Sequence, residues 1–285
     1  MRRRAGVGLE RPRGVERREG AETAEKTRTP SDADVLVHPD RRRDVAPGAR
    51  RGNEVEPIEV ARMFGAIAPV YDRLNTIMTA GADGRWRAAA ADATALRTGD
   101  TAIDIACGTG KLAALPASRV GPFGRVVGLD VAPQMLELAE RTHGDLVQLR
   151  FVEGDALALP FADDTFDAAT IAFGLRNLAD FEAGFREMAR VVRPGGRVVC
   201  LELTLPRPRL WGRLFHATFR RVAPILGGLT GARGAYDYLP ASLDGFPDAD
   251  RLVATMRAAG LTGLHYRRFG LGSVALHVGT VPPAG

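Results

Sequence analysis

Asp104-Ile105-Ala106-Cys107-Gly108-Thr109-Gly110 is the stretch whose reading decides the fold. The apolar run 102 to 106 reads as a strand buried on both faces, as in a parallel sheet. Gly108 and Gly110, at alternate positions, let the backbone turn tightly and approach a ligand with no Cβ in the way. Lys111, Leu112, Ala113, Ala114 and Leu115 have helix-forming composition, so the glycines sit where a strand hands over to a helix. An open α/β sheet places a nucleotide-like ligand at that point. A second apolar run, 125 to 130, ends in Asp130, a carboxylate placed to accept both hydroxyls of a ribose.

Outward from this stretch, strands are predicted at about 101 to 106, 125 to 130, 147 to 152, 166 to 172 and 196 to 203. Helices alternate with them at about 110 to 119, 133 to 142 and 180 to 192, which argues for a doubly wound parallel sheet. Asp180 reads as the N-cap of the last of these helices, whose apolar residues Phe181, Phe185, Met188, Val191 and Val192 recur at helical spacing. A helix-rich entry occupies 58 to 96. A further helix near 248 to 259 precedes a closing hairpin through Gly270-Leu271-Gly272.

Two cofactor classes fit a glycine turn followed by an acid. Gly108 to Ala113 also satisfies the G-x-G-x-x-A dinucleotide pattern, which alone is a weak signal. Three details favour S-adenosylmethionine over NAD. Asp104 lies inside the strand, where a carboxylate has little to do for a pyrophosphate but can help hold a cationic methionine end. Asp155, followed by Ala156, comes after the third strand, as expected of an acid meeting an adenine amino group. Arg193-Pro194-Gly195-Gly196-Arg197 precedes the strand that ends near Glu202, a turn often seen before the fifth strand of methyltransferases. The expected cofactor site is therefore Asp104, Gly108, Thr109, Gly110, Asp130, Asp155 and Ala156, and the pattern resembles class I S-adenosylmethionine-dependent methyltransferases.

The chain has 285 residues, 45% of them hydrophobic, with a net charge of +5. Residues 1 to 55 are arginine-rich and carry most of that charge, so the remainder is nearly neutral and a nucleic-acid substrate is not indicated. This tail has few large apolar residues and is expected to be disordered. It lacks the apolar centre of a secretory signal. Two isolated cysteines, Cys107 and Cys200, make neither a disulfide framework nor a metal site, and a reducing cytoplasm is the expected setting.

Four further segments carry a more specific resemblance: Met63-Phe64 with Ala68 to Asn75; Phe173-Gly174-Leu175-Arg176-Asn177; Tyr236 to Ser242 with Phe246-Pro247; and Val274 to His277. Together they resemble the UbiE/MenG C-methyltransferases of ubiquinone and menaquinone biosynthesis, over residues 57 to 281. The resemblance implies a Rossmann-like, mostly parallel seven-stranded sheet with an antiparallel C-terminal strand, preceded by a helical lid. It also implies methylation of a prenylated quinol ring, demethylmenaquinol being preferred. Arg176 and Asn177, after the fourth strand, would project over the methyl group, Arg176 to stabilise a phenolate or polarise a water. Tyr71 would belong to the lid. The alternative for Arg176 is a helix cap or a partner of Asp180.

The sequence departs from that family at Asp83-Gly84, where a His-Arg pair is usual, so an acceptor among other phenolic or natural-product compounds stays open. An NAD-dependent oxidoreductase and a non-catalytic scaffold subunit are the other readings; Asp104, Asp130 and Arg176, whose loss would mark the scaffold, are all present. On an inserted helix near 207 to 228, Trp211, Phe215, Phe219, Val222 and Leu226 form one stripe and Arg209, Arg213, His216 and Arg220 another. Such a helix can make a peripheral contact with the membrane surface. It can equally pack on the protein's own core or on a partner subunit in a homo-oligomer.

Overall fold

The computed structural model describes residues 57–206, 242, 243 and 245–283; the tail 1–55 and the helix expected near 207–228 lie outside the described residues, as does most of the segment 236 to 242. Helices α1 (Pro57–Met78) and α2 (Asp83–Ala93) lead into β1 (Thr101–Ile105). There follow α3 (Ala114–Val120), β2 (Arg125–Asp130), α4 (Pro133–His143), β3 (Leu149–Glu153) and β4 (Phe166–Ala172). The chain continues through α5 (Phe181–Val191), β5 (Val192–Leu203), α6 (Ala249–Ala258), β6 (Thr262–Phe269) and β7 (Val274–Thr280).

The strands form one seven-stranded sheet in the order β3-β2-β1-β4-β5-β7-β6. β7 runs antiparallel to both of its neighbours, and β1 to β5 are parallel. Because β1 pairs with β2 on one side and β4 on the other, the chain reverses its direction of winding beside β1. The carboxyl ends of β1 and β4 therefore border the crevice where such sheets take ligands.

All five residues of β1 are buried, as a strand covered on both faces requires. Ile103 and Ile105 join Val127, Leu129 and Ile171 in a core closed by Phe185 and Met188 of α5 and by Leu252 and Met256 of α6. On the other face, Ala102 and Val126 lie with Ala113, Ala117 and Val120. Val199, Leu201 and Leu276 lie with Ala90, Ala91 and Leu112. Asp180 caps α5 as expected, its Oδ1 accepting from the Ala183 N–H at 2.9 Å.

Two boundaries differ from the sequence expectation by more than two residues. The helix after the glycine turn starts at Ala114, not at 110, because Gly110 adopts φ +80° and residues 111 to 113 remain in turns. β5 starts at Val192, not at 196. Its register with β4 jumps from Phe166↔Val192 to Ala168↔Arg197, so Arg193 to Gly196 form a bulge inside the strand.

Phe185 is fully buried at the centre of the α5 face. Phe185→Ala is expected to destabilise the protein by about 3–5 kcal/mol, the usual loss for a buried phenylalanine. Urea unfolding of the two proteins measures it, and a loss under about 1 kcal/mol would place α5 outside the cooperative core.

Candidate functional site

A cavity opens at the carboxyl ends of β1, β2 and β4. Its floor is Ala106 and Gly108 after β1, and Leu129 to Ala132 after β2. Gly154 to Leu157 form one side and Ala172 to Gly174 with Asn177 another. Val60, Ala61, Phe64 and Tyr71 of α1 lie across it as a roof, with Met135 of α4 beneath them. Tyr71 meets Phe64 edge to face, with ring centroids 5.8 Å apart.

Asp130 ties this floor together. Its Oδ2 accepts from the Gly108 N–H at 2.8 Å and its Oδ1 from the Ala132 N–H at 2.9 Å. One carboxylate thus clamps the turn after β1 to the end of β2. Burial raises the Asp130 carboxyl above its ordinary value, and the backbone N–H groups of Ala132 and Gly108 pull it back down. The Val131 N–H lowers it as well, and the carboxylate keeps a lone pair for a further donor.

Asp104 is deeper. It faces Thr170 across the β1–β4 ladder, and its Oδ1 accepts from the Thr170 hydroxyl at 2.6 Å. Its Oδ2 is buried with no hydrogen-bond partner among the described residues. Burial pushes its carboxyl up to about 7, against the lowering effects of the Thr170 hydroxyl and the Arg87 charge.

The other expected positions divide. Asp155 and Ala156 line the cavity, and Asp155 Oδ1 accepts from the Leu157 N–H at 2.9 Å. Gly108, at φ +56°, has open space where a Cβ would stand, as a backbone approached by a ligand needs. Gly110 has a different reason: a Cβ there would lie 2.7 Å from the Phe151 ring. The Thr109 hydroxyl donates to Asp72 Oδ1 of α1 at 3.0 Å, away from the cavity floor.

Arg176 is turned away from the position expected over the methyl group. Its Nη1 lies 2.6 Å from Glu202 Oε1 and 2.6 Å from the Phe173 carbonyl, and only 4% of the residue is exposed. The partner is Glu202 and not Asp180, whose carboxylate caps α5. Sequence reasoning missed this pairing, although a glutamate inside the apolar run 198 to 203 signals a buried acid that needs a cation. Asn177, next in sequence, lines the cavity, as does Phe173. Phe173 and Ala106 both adopt left-handed backbone, at φ +60° and +51°. They directly follow adjacent parallel strands, and Gly174 passes so close that a Cβ there would lie 2.5 Å from the Ala106 Cβ. Strain of this kind persists where surrounding structure over-determines it, and here it borders the cavity.

The residues fit an S-adenosylmethionine-type cofactor: an orphaned carboxylate oxygen beside the turn, an open approach at Gly108, and acids after β2 and β3 on the cavity wall. Asp130 would hold the ribose and Asp155 the adenine; Asp104 does not line the cavity and would act on the cationic methionine end through its charge alone. When bound, that cofactor supplies a methyl group already activated on a sulfonium.

Comparison with known proteins agrees. Residues 52–281 match the model of the ubiE/COQ5 methyltransferase family. A demethylmenaquinone methyltransferase of Thermus thermophilus is 46% identical over 222 residues, covering 77% of this chain and 100% of that one. One of Deinococcus radiodurans is 44% identical over 222 residues, covering 77% and 91%. Among solved structures, the cyclase SpnF superposes with a TM-score of 0.62 at 17% identity, covering 82% of this chain and 99% of that one, a likeness of fold alone. An S-adenosylmethionine-dependent methyltransferase of Thermotoga maritima gives 0.56 at 17% identity, covering 77% and 98%. With the matched region spanning both the α1 roof and the whole sheet, the chain belongs to the ubiE/COQ5 methyltransferase family and uses S-adenosyl-L-methionine as its cofactor.

Proposed function

We propose that this chain methylates a ring carbon of a prenylated quinol, demethylmenaquinol, to give menaquinol. The observation that carries the reading is the mixed lining of the cavity: the acids Asp130 and Asp155 share it with the rings of Phe64, Tyr71 and Phe173 and with the polar Asn177. A flat aromatic acceptor would pack on such rings, with Tyr71 and Asn177 as the polar groups for its oxygens. The names of the relatives of Thermus thermophilus and Deinococcus radiodurans, demethylmenaquinone methyltransferases, support demethylmenaquinol as the acceptor.

Methyl transfer to carbon requires an electron-rich ring, reached when a quinol hydroxyl gives up its proton. The chain's work is to hold the ring carbon in line with the methyl group, to exclude water and to stabilise the phenolate. We assign the contact with the ring oxygens to Tyr71 and Asn177. Arg176 acts through the turn it fastens: by holding the Phe173 carbonyl and Glu202 together it fixes where Asn177 projects. The Asp83-Gly84 departure does not argue for a different acceptor, because Asp83 is turned toward Thr79 and Lys111 and does not line the cavity.

A prenyl tail resides in a bilayer, so a peripheral contact with the membrane surface belongs to this reading, as does a cytoplasmic setting. No helix among the described residues is long and apolar enough to cross a membrane. The aromatic and basic residues of 207 to 226 are the candidate contact. Mass spectrometry of quinones from a strain lacking this gene tests the acceptor: demethylmenaquinone should accumulate, and an unchanged profile would refute it.

Two outcomes follow from the assigned roles. Arg176→Met leaves Glu202 buried without its cation and is expected to cost about 3–5 kcal/mol in urea unfolding. Arg176→Lys keeps the charge but shortens the reach of the group that holds both Glu202 and the Phe173 carbonyl, so kcat should fall through a misplaced Asn177 while S-adenosylhomocysteine affinity holds. Unchanged kcat in the lysine variant would remove Arg176 from catalysis.

The Asp104 carboxyl, raised to about 7 in the free protein, gives a pH dependence whose sign is fixed. A cationic ligand end beside it favours the ionised form, so binding expels a proton below neutral pH. Cofactor affinity should therefore rise with pH to about 7 and then level off, and Asp104→Asn should flatten the profile. In the free protein the same group stabilises the fold most below its unfolded value, and that contribution is lost as pH rises through about 7. Calorimetry in buffers of different ionisation enthalpy reads the proton directly; no proton release at pH 6 would contradict the assignment.

A further inference from the structure

Lys111 is one of only two lysines in an arginine-rich chain, and it stands where the turn after β1 meets α1 and α2. Its Nζ lies 3.4 Å from Asp72 Oδ1 of α1 and 3.8 Å from Asp83 Oδ2 at the start of α2. Asp83 is nearly buried, takes a hydrogen bond from the Thr79 hydroxyl at 3.2 Å, and has Arg87 Nε 4.0 Å from its other oxygen. The Arg87 guanidinium lies over the Phe173 ring, 5.2 Å from its centroid. Asp72 also takes the Thr109 hydroxyl at 3.0 Å.

The turn from Cys107 to Lys111 therefore has two faces. On one, the Gly108 N–H is held by Asp130 at the cavity floor. On the other, Thr109 and Lys111 grip Asp72, whose chain neighbour Tyr71 roofs the same cavity. A compact ammonium can be shared between two carboxylates approaching from different helices, without the fixed fork an arginine imposes. Lys111 and Asp72 are each about one-third exposed, so this contact can open and close, unlike the enclosed Arg176–Glu202 pair.

Taking the cavity as the cofactor and quinol site proposed above, we infer that Lys111 is a positioning residue: through Asp72 and Asp83 it couples cofactor occupancy at the Gly108 turn to closure of the α1 roof over the acceptor. A cofactor that steadies the turn also steadies the Thr109 and Lys111 side chains. These in turn hold Asp72 and Tyr71. The acceptor is then bound more tightly after the cofactor than before it, and by linkage the cofactor more tightly after the acceptor.

Hydrogen exchange of the α1 amides, with and without S-adenosylhomocysteine, tests the coupling without turnover. The full chain is compared with Lys111→Met and Lys111→Arg. In the natural protein the ligand should slow exchange over 57–78 by about tenfold, within the usual range of coupling between sites. Lys111→Arg should keep most of that protection. Lys111→Met should lose it while binding S-adenosylhomocysteine within about twofold of the natural affinity, since the residue lies outside the cavity. Equal protection in Lys111→Met, or none in the natural protein, would overturn the inference. So would a loss of protection that comes with an equal loss of ligand affinity and thermal stability, which marks a merely structural role. Binding of a soluble demethylquinol analogue separates the two readings. If the analogue fails to bind while the exchange pattern is as described, the acceptor assignment falls and the coupling stands.

Discussion

The site depends on the Asp130 carboxylate. Two backbone N–H groups from different parts of the chain, those of Gly108 and Ala132, meet on its two oxygens. Without it, the turn after β1 would carry an unsatisfied donor beside a low-dielectric floor, at a cost of about 1–3 kcal/mol for the orphaned group. With it, the turn is registered against the end of β2, and the same carboxylate remains available to a ligand. The structural clamp and the proposed ribose contact fall on one residue because β1 and β2 are neighbours whose carboxyl ends lie level in the sheet.

The remaining polar groups follow from the same geometry. Strand ends at the switch point are enclosed by helices on both faces, so any charge placed there is stripped of water and must find a partner or change its ionisation. Arg176 and Glu202 take the first course, with a 2.6 Å contact inside the fold. Such a pair contributes little net stability but is costly to break, which suits a device that fixes a turn. Asp104 takes the second course, half-satisfied by Thr170 and holding its proton up to about pH 7. The left-handed residues Ala106 and Phe173 are held in the same place, where the surrounding packing leaves them no other conformation.

Much of this was legible in the sequence. The strands at 125 to 130 and 166 to 172 end where apolar periodicity said, because buried parallel strands leave unambiguous apolar runs. Asp180 as a cap was readable because capping chemistry is local. Asp130, Asp155 and Ala156 line the cavity, since strand ends converge on the crevice. What was not legible was direction. Arg176 follows the correct strand, yet its side chain turns inward to an acid 26 residues later, a pairing only the tertiary fold creates. Gly110 and Thr109 belong to the expected motif, but one makes room for Phe151 and the other holds α1. The β5 bulge was invisible for the same reason: Arg193 to Gly196 read as a turn until the register with β4 is known.

The most direct measurement is the affinity of Asp130→Asn for S-adenosylmethionine, set beside its thermal stability. An amide offers one acceptor oxygen where the carboxylate offers two, and its NH2 faces a backbone donor. The account predicts both a weaker cofactor, by about 1.5–3 kcal/mol as for a charged hydrogen bond, and a lower melting temperature, because one group serves both ends. A variant that binds the cofactor as the natural protein does would contradict the account at its centre.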